Sequence, residues 1–200
     1  MSIQIISDKN LASAVLKSSF EEPKLKYVLL IIDMQQATFG RPAPIFDAAG
    51  LVERINSLAN RVRADAGRVI LVQFSGPPGT PYDRSQDGWK LVPELNVESS
   101  DLRFSKTASD AFQSTDLETM LGVPSESRLI VTGCDTEFCV DSTIRSALAR
   151  DYDVTVPDDG HSLSDRSHLN AEKVIEHHNI IWAAGALARP IRVCKCAEIL

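Results

Sequence analysis

The feature that most constrains this chain is an alternation between two kinds of apolar pattern. "KYVLLIID" (26–33), "RVILVQF" (68–74), "RLIVTG" (128–133) and "YDVTVPDD" (152–159) are short, β-branched and almost continuously apolar. Runs of that kind suit strands covered on both faces, because a strand with one wet face alternates apolar and polar residues. Between them the period changes. "DAAGLVERINSLANRVRADAG" (47–67) spaces Leu51, Ile55, Leu58 and Val62 by three and four residues and ends at Gly67, the expected C-cap. "TEFCVDSTIRSALARD" (136–151) and "DRSHLNAEKVIEHHNIIWAAG" (165–185) are two further amphipathic segments. Strand alternating with helix predicts βαβ units: a three-layer α/β fold, with a mainly parallel sheet between two layers of helices.

Two hundred residues, 44% of them hydrophobic, suffice for one domain with a sizeable core. The formal net charge of −6 and the lack of any basic run argue against nucleic acid or an anionic membrane as partner. The N-terminal segment lacks the basic start and apolar run of an export signal, so the expectation is a cytoplasmic protein with reduced thiols.

The four cysteines do not have the spacing of a zinc site. Cys134 and Cys139 are C-x4-C, and Cys194 and Cys196 are C-x-C on a terminal strand. Packing is the default role of an unpaired cysteine. Cys139 has a reason to differ. With Thr136 as N-cap it falls in the first turn of a helix that follows a strand and a glycine turn, where free N–H groups and the helix dipole favour a thiolate. Cys134 precedes that helix and is expected to fill the turn.

In parallel sheets, ligands bind beyond the carboxyl ends of the strands. Asp33 ends the first strand, Lys106 follows the short strand-like "DLRFS", and Cys139 follows "RLIVTG". Singly, the Asp reads as a turn or cap residue and the Lys as a surface residue. Gathered at three strand ends, a carboxylate can take the thiol proton while an ammonium holds the carboxylate and steadies the sulfur.

"LLIIDMQQATF", "SKTASDAF" and "LIVTGCDTEFCVDSTIRSAL", in that order and spacing, resemble the Asp, Lys and nucleophile segments of the isochorismatase-like cysteine hydrolases. The similarity runs from about residue 26 into the helix containing "VIEHHN", which leaves residues 1–25 as an N-terminal extension to a domain of 26–200. The resemblance implies a six-stranded parallel sheet flanked by helices and a catalytic triad of Asp33, Lys106 and Cys139. It also implies a cis peptide at Cys134–Asp135 and an oxyanion hole from the backbone N–H groups of Asp135 and Cys139. The activity implied is hydrolysis of a small amide, lactam or carbamoyl compound through a thioester. Vinyl ether hydrolysis and a non-catalytic scaffold of the same fold are the alternatives. Metal-binding relatives hold their ion through histidines after the second strand, and "VQFSGPPGTPYDRSQDGW" contains none. Neither a metal nor a cofactor is expected.

Phe39, Trp89 and Phe138 are the candidate pocket aromatics, with core packing as the alternative for each. Arg41 and Arg84, both in loops, are the candidate cations besides Lys106. His161 sits where it would either border the pocket or cap a turn; His168, His177 and His178 fall on a helix surface. That helix carries Leu169, Val174, Ile175, Ile180, Ile181 and Trp182, more apolar surface than one stripe needs. With the resemblance, this predicts a homo-oligomer, a dimer or larger.

Overall fold

A computed structural model describes residues 26–185 and 190–200; the N-terminal extension expected at 1–25 lies outside the described residues. Seven strands form one sheet: β1 (Lys26–Ile32), β2 (Arg68–Phe74), β3 (Leu102–Lys106), β4 (Ser127–Cys134), β5 (Asp153–Pro157), β6 (His161–Ser162) and β7 (Arg192–Cys194). All pairings are parallel, in the order β3-β2-β1-β4-β5-β7. This is the expected six-strand path with one addition, because β6 pairs with the end of β4, Gly133 opposite His161.

The helices are α1 (Gln36–Phe39), α2 (Ala48–Ala64), α3 (Leu117–Leu121), α4 (Asp141–Leu148) and α5 (Ala171–Ala183). Successive side chains of a strand point to opposite faces, so the apolar runs split into two cores. Leu29 and Ile31 of β1, Val69 and Leu71 of β2, and Ile130 of β4 pack against Leu51, Ile55, Leu58 and Val62 of α2. Val28, Leu30, Ile32, Ile70, Val72, Leu129 and Val131 face the other way, against Ile144 and Ala147 of α4 and Trp182 of α5. No helix among the described residues is long and apolar enough to cross a membrane.

Three boundaries differ from the sequence expectation. α2 ends at Ala64 with Asp65 as its C-cap, and Ala66 takes the left-handed conformation (φ 56°) that glycine was expected to take. Gly67 is needed for closeness: a Cβ there would lie 2.8 Å from the Tyr27 carbonyl oxygen. α5 starts at Ala171, where the Asn170 side chain accepts the Lys173 N–H at 3.0 Å. The segment before α4 is a single π-helical turn, Thr136–Val140, capped by Asp135 and not by Thr136. The Asp135 carbonyl accepts from the N–H groups of Phe138 and Val140, while the Thr136 hydroxyl is occupied by His161 Nδ1 at 2.9 Å.

Candidate active site

Strand register brings the three singled-out side chains together. β1 and β4 are neighbours with Ile32 opposite Gly133, so Asp33 emerges beside the turn that leads to Cys139. β2 and β3 end together with Phe74 opposite Lys106. Asp33 is itself left-handed (φ 53°), and its N–H is held by the Val72 carbonyl at 2.8 Å, which turns the chain away as the strand ends. Gly133 has φ 114°, and a Cβ there would sit 2.0 Å from the Ile32 carbonyl oxygen, so only glycine permits this approach. The Cys134–Asp135 peptide is cis.

Lys106 is the hub. Its fully buried ammonium lies 2.9 Å from Asp33 Oδ2, 3.0 Å from Cys139 Sγ and 3.0 Å from the Ala108 carbonyl oxygen, which matches its three donors. Its Nζ also stands 5.3 Å from the centre of the Phe74 ring. Burial opposes the charge, but Asp33 and Cys139 together hold the Lys106 pKa above its ordinary value. Burial raises the Asp33 carboxyl against the pull of Lys106. Its Oδ1 is buried and accepts no hydrogen bond, which leaves one oxygen free to take a proton.

The Cys139 thiol departs from the sequence expectation. Burial and the adjacent Asp33 carboxylate push its pKa up to about 12, and Lys106 offsets only part of this. The position in the first turn is as expected, yet the resting group is a thiol, because the π turn places it against a carboxylate in a desolvated site. Cys134 is fully buried, and burial raises its thiol well above the ordinary value.

Asp33 and Cys139 open onto a cavity of roughly 210 Å³ with Thr38, Arg41, Phe74, Tyr82, Asp135 and Phe138 also on its walls. Arg41 donates to Asp135 Oδ2 at 2.6 Å and to the Tyr82 hydroxyl, and Arg166 reaches the same Asp135 oxygen at 3.3 Å. Arg166 also holds Glu137 and lies over the Phe138 ring. Of the three candidate aromatics, only Phe138 lines this cavity. Phe39 packs in a groove against α2, and Trp89 stands in a separate cleft with Arg84 and Phe104, its indole N–H on Ser75.

Residues 27–181 match the sequence model of the isochorismatase domain. The chain belongs to the isochorismatase family of hydrolases. It is 30% identical over 137 residues to a streptothricin hydrolase of Streptomyces noursei, an alignment covering 68% of this chain and 50% of that protein. With a ureidoacrylate amidohydrolase of Caulobacter vibrioides the identity is 26%, over 69% of this chain and 77% of the relative. The chain thus spans about half the length of the streptothricin hydrolase it matches. A crystal structure of an isochorismatase family protein superposes with a TM-score of 0.76 at 28% identity, over 85% of this chain and 98% of the other.

Sequence reasoning missed several members and supports of this isochorismatase-family site. Gln35, fully buried, donates to the carbonyls of Phe74 and Trp89 and accepts the Phe74 N–H, tying the loop after β1 to the end of β2. Thr38 reaches the cavity from α1, and Tyr82 and Arg166 reach it or its wall from loops whose course is set by tertiary contacts. Gln35 alone was traceable, as an amide two residues beyond the strand-ending Asp33.

His161 is a structural residue in β6, buried between Thr136 and Asn179 Oδ1 (3.0 Å) and edge-on to Trp182. Burial lowers its pKa from 6.5 to about 4. Protons therefore bind the unfolded chain first, so its contribution to stability is intact above pH 6.5 and is lost as pH falls toward 4. Denaturant unfolding should show a loss on the order of 3 kcal/mol across that window. His161→Gln should remove this pH dependence; an unchanged slope in the variant would assign the acid sensitivity elsewhere.

The remaining histidines and cysteines lie away from the cavity. His168 and His177 are exposed, and His178 bonds the Val174 carbonyl within α5. Cys196 is buried in the α2-side core with Cys194 packed against it.

Proposed function

We propose that this protein is a cysteine-dependent hydrolase of a small amide, lactam or carbamoyl compound. The observation that carries the reading is the Lys106 ammonium held at 2.9 Å from Asp33 and 3.0 Å from Cys139, the two of which open onto one cavity. The names of the relatives support it: one is a hydrolase of streptothricin and the other an amidohydrolase of ureidoacrylate.

Because the resting thiol is protonated, attack and deprotonation are coupled. Asp33 Oδ1 takes the thiol proton as Sγ adds to the carbonyl carbon, and Lys106 stabilises the developing thiolate and the remaining carboxylate oxygen. The backbone N–H groups of Asp135 and Cys139 serve the oxyanion. Asp33 then returns the proton to the leaving nitrogen. In the second half, Asp33 deprotonates water for attack on the thioester, and the thiol leaves with that proton. No step calls on a metal.

The substrate is a small molecule with an apolar part for Phe74 and Phe138. Of the six apolar residues behind the homo-oligomer expectation, Val174 and Trp182 are buried in the chain's own core, and the exposed Leu169 and Ile180 are what still supports self-association. The test of function is a panel of primary amides, lactams and ureido acids, read by ammonia release or a new carboxylate. Turnover of at least one class at a rate unchanged by exhaustive chelation is expected. Turnover of none would remove the amide reading, and a chelator-sensitive rate restored by one divalent ion would remove the metal-free mechanism.

A further inference from the structure

The charged groups on the cavity wall have unequal unused hydrogen-bonding capacity. Each cationic nitrogen already has a partner: Lys106, behind the wall, serves Asp33, Cys139 and the Ala108 carbonyl, and Nε, Nη1 and Nη2 of Arg41 each donate to Tyr82 or Asp135. Not every acceptor does. Asp33 Oδ1 and Asp135 Oδ1 are buried and accept nothing from the protein. The first is the proton acceptor of the proposed chemistry. The second has no part in it. The Asp135 side chain is only 6% exposed, and both of its cations, Arg41 and Arg166, sit on Oδ2. A buried carboxylate oxygen without a donor is costly, and a ligand N–H relieves that cost.

We infer that Asp135 Oδ1 is a specificity-determining acceptor that selects substrates bearing an N–H-rich group, ammonium, guanidinium or ureido, near the scissile amide. This rests on the amide hydrolase reading of the same cavity. It also settles the role of Arg41. That guanidinium lines the cavity with every nitrogen bonded to Asp135 or Tyr82, so it orients the acceptor. Asp135→Asn is a sharp probe, because Arg41 and Arg166 would hold the new amide by its oxygen. Its NH2 would then stand where Oδ1 was, and an acceptor becomes a donor.

Three chloroacetamides of equal length test this: N-(2-aminoethyl)chloroacetamide, N-propylchloroacetamide and N-chloroacetyl-β-alanine. In each, the Cys139 sulfur displaces chloride to form a thioether and the thiol proton is released. Rates at Cys139 are read by peptide mass spectrometry and divided by those with 2-mercaptoethanol. The wild-type protein should react about tenfold faster with the ammonium reagent than with the propyl reagent, and slowest with the carboxylate, a ratio expected of one charge-assisted hydrogen bond. Asp135→Asn should bring the ammonium-to-propyl ratio to within about twofold of one and favour the carboxylate reagent. An unchanged ratio in the variant, or a wild-type preference for the carboxylate, overturns the inference.

The same preference can be read without Cys139 chemistry. Cys139→Ala should bind N-(2-aminoethyl)acetamide about tenfold more tightly than N-propylacetamide in ligand-observed NMR titrations. Equal affinities, or no binding of either, overturn the inference by themselves. Cys139 inert to all three reagents, together with the expected binding difference, would instead sink the nucleophile reading and leave Asp135 in place.

Discussion

Cys139→Ala should lower amide turnover by on the order of 10,000-fold or more, since without the sulfur no thioester forms and only binding and oxyanion stabilisation remain. The fold should persist. Cys139 is only partly buried at the rim of a cavity, and the change deletes one atom, so the stability cost should stay within about 1 kcal/mol. Steady-state rates on any amide turned over by the wild type, with thermal unfolding as the control, would measure both. Asp33→Asn should be comparably inactive, because it removes the unpartnered carboxylate oxygen that accepts the thiol proton. The informative contrast is between the two variants. If Cys139→Ala kept substantial activity while Asp33→Asn lost it, acid-catalysed ether hydrolysis would replace the thioester mechanism. If both kept it, the cavity would not be the site of reaction.

Lys106→Met should be nearly as damaging to activity, by about 1,000-fold, and should also disturb stability in a pH-dependent way. The substitution leaves the Asp33 carboxylate buried with no counter-charge. Desolvation already raises the Asp33 pKa above its ordinary 3.8 against the pull of Lys106, and removing that pull raises it further. Catalysis needs the ionised carboxylate, so activity is lost as pH falls through the folded-state pKa. The acid limb of kcat/KM should lie above the ordinary carboxylate range in the wild type and move to still higher pH in the variant.

For stability the sign is opposite. The folded state holds the Asp33 proton more tightly than the unfolded chain, so stability declines as pH rises through the folded pKa. The variant should be most destabilised in neutral to alkaline solution, by up to about 3–5 kcal/mol, and recover toward acid as Asp33 takes up a proton. The double variant Asp33→Asn, Lys106→Met should regain part of the loss at neutral pH. A Lys106→Met protein with wild-type stability across the pH range would show that the pair is not coupled as the geometry indicates.

Strands and helices were legible because their periods arise locally. β-Branched continuous runs such as "VLLII" can be satisfied only by cover on both faces, and the three- and four-residue spacing of Leu51, Ile55, Leu58 and Val62 only by one helix face. The same local logic separated Cys139 from Cys134: one falls in the first turn of a helix, and the other precedes that helix. The sequence by itself therefore determined the α/β class, the family, and the three side chains at the sheet's carboxyl edge.

What only the tertiary structure decided depends on contacts between distant positions. Arg41 meets Asp135 across 94 residues, and Lys106 meets Asp33 across 73. No periodicity carries such distances; they follow from the strand order and from loops whose course is set by what they pack against. That is why Trp89 and Phe39, each plausible from its place in the chain, stand in other clefts, while Tyr82 and Arg166 frame the cavity. Charge state is decided at the same level. A helix N-terminus favours a thiolate, but burial beside Asp33 outweighs it for Cys139, because desolvation and a facing carboxylate act on the thiol more strongly than the partial charge of one short turn.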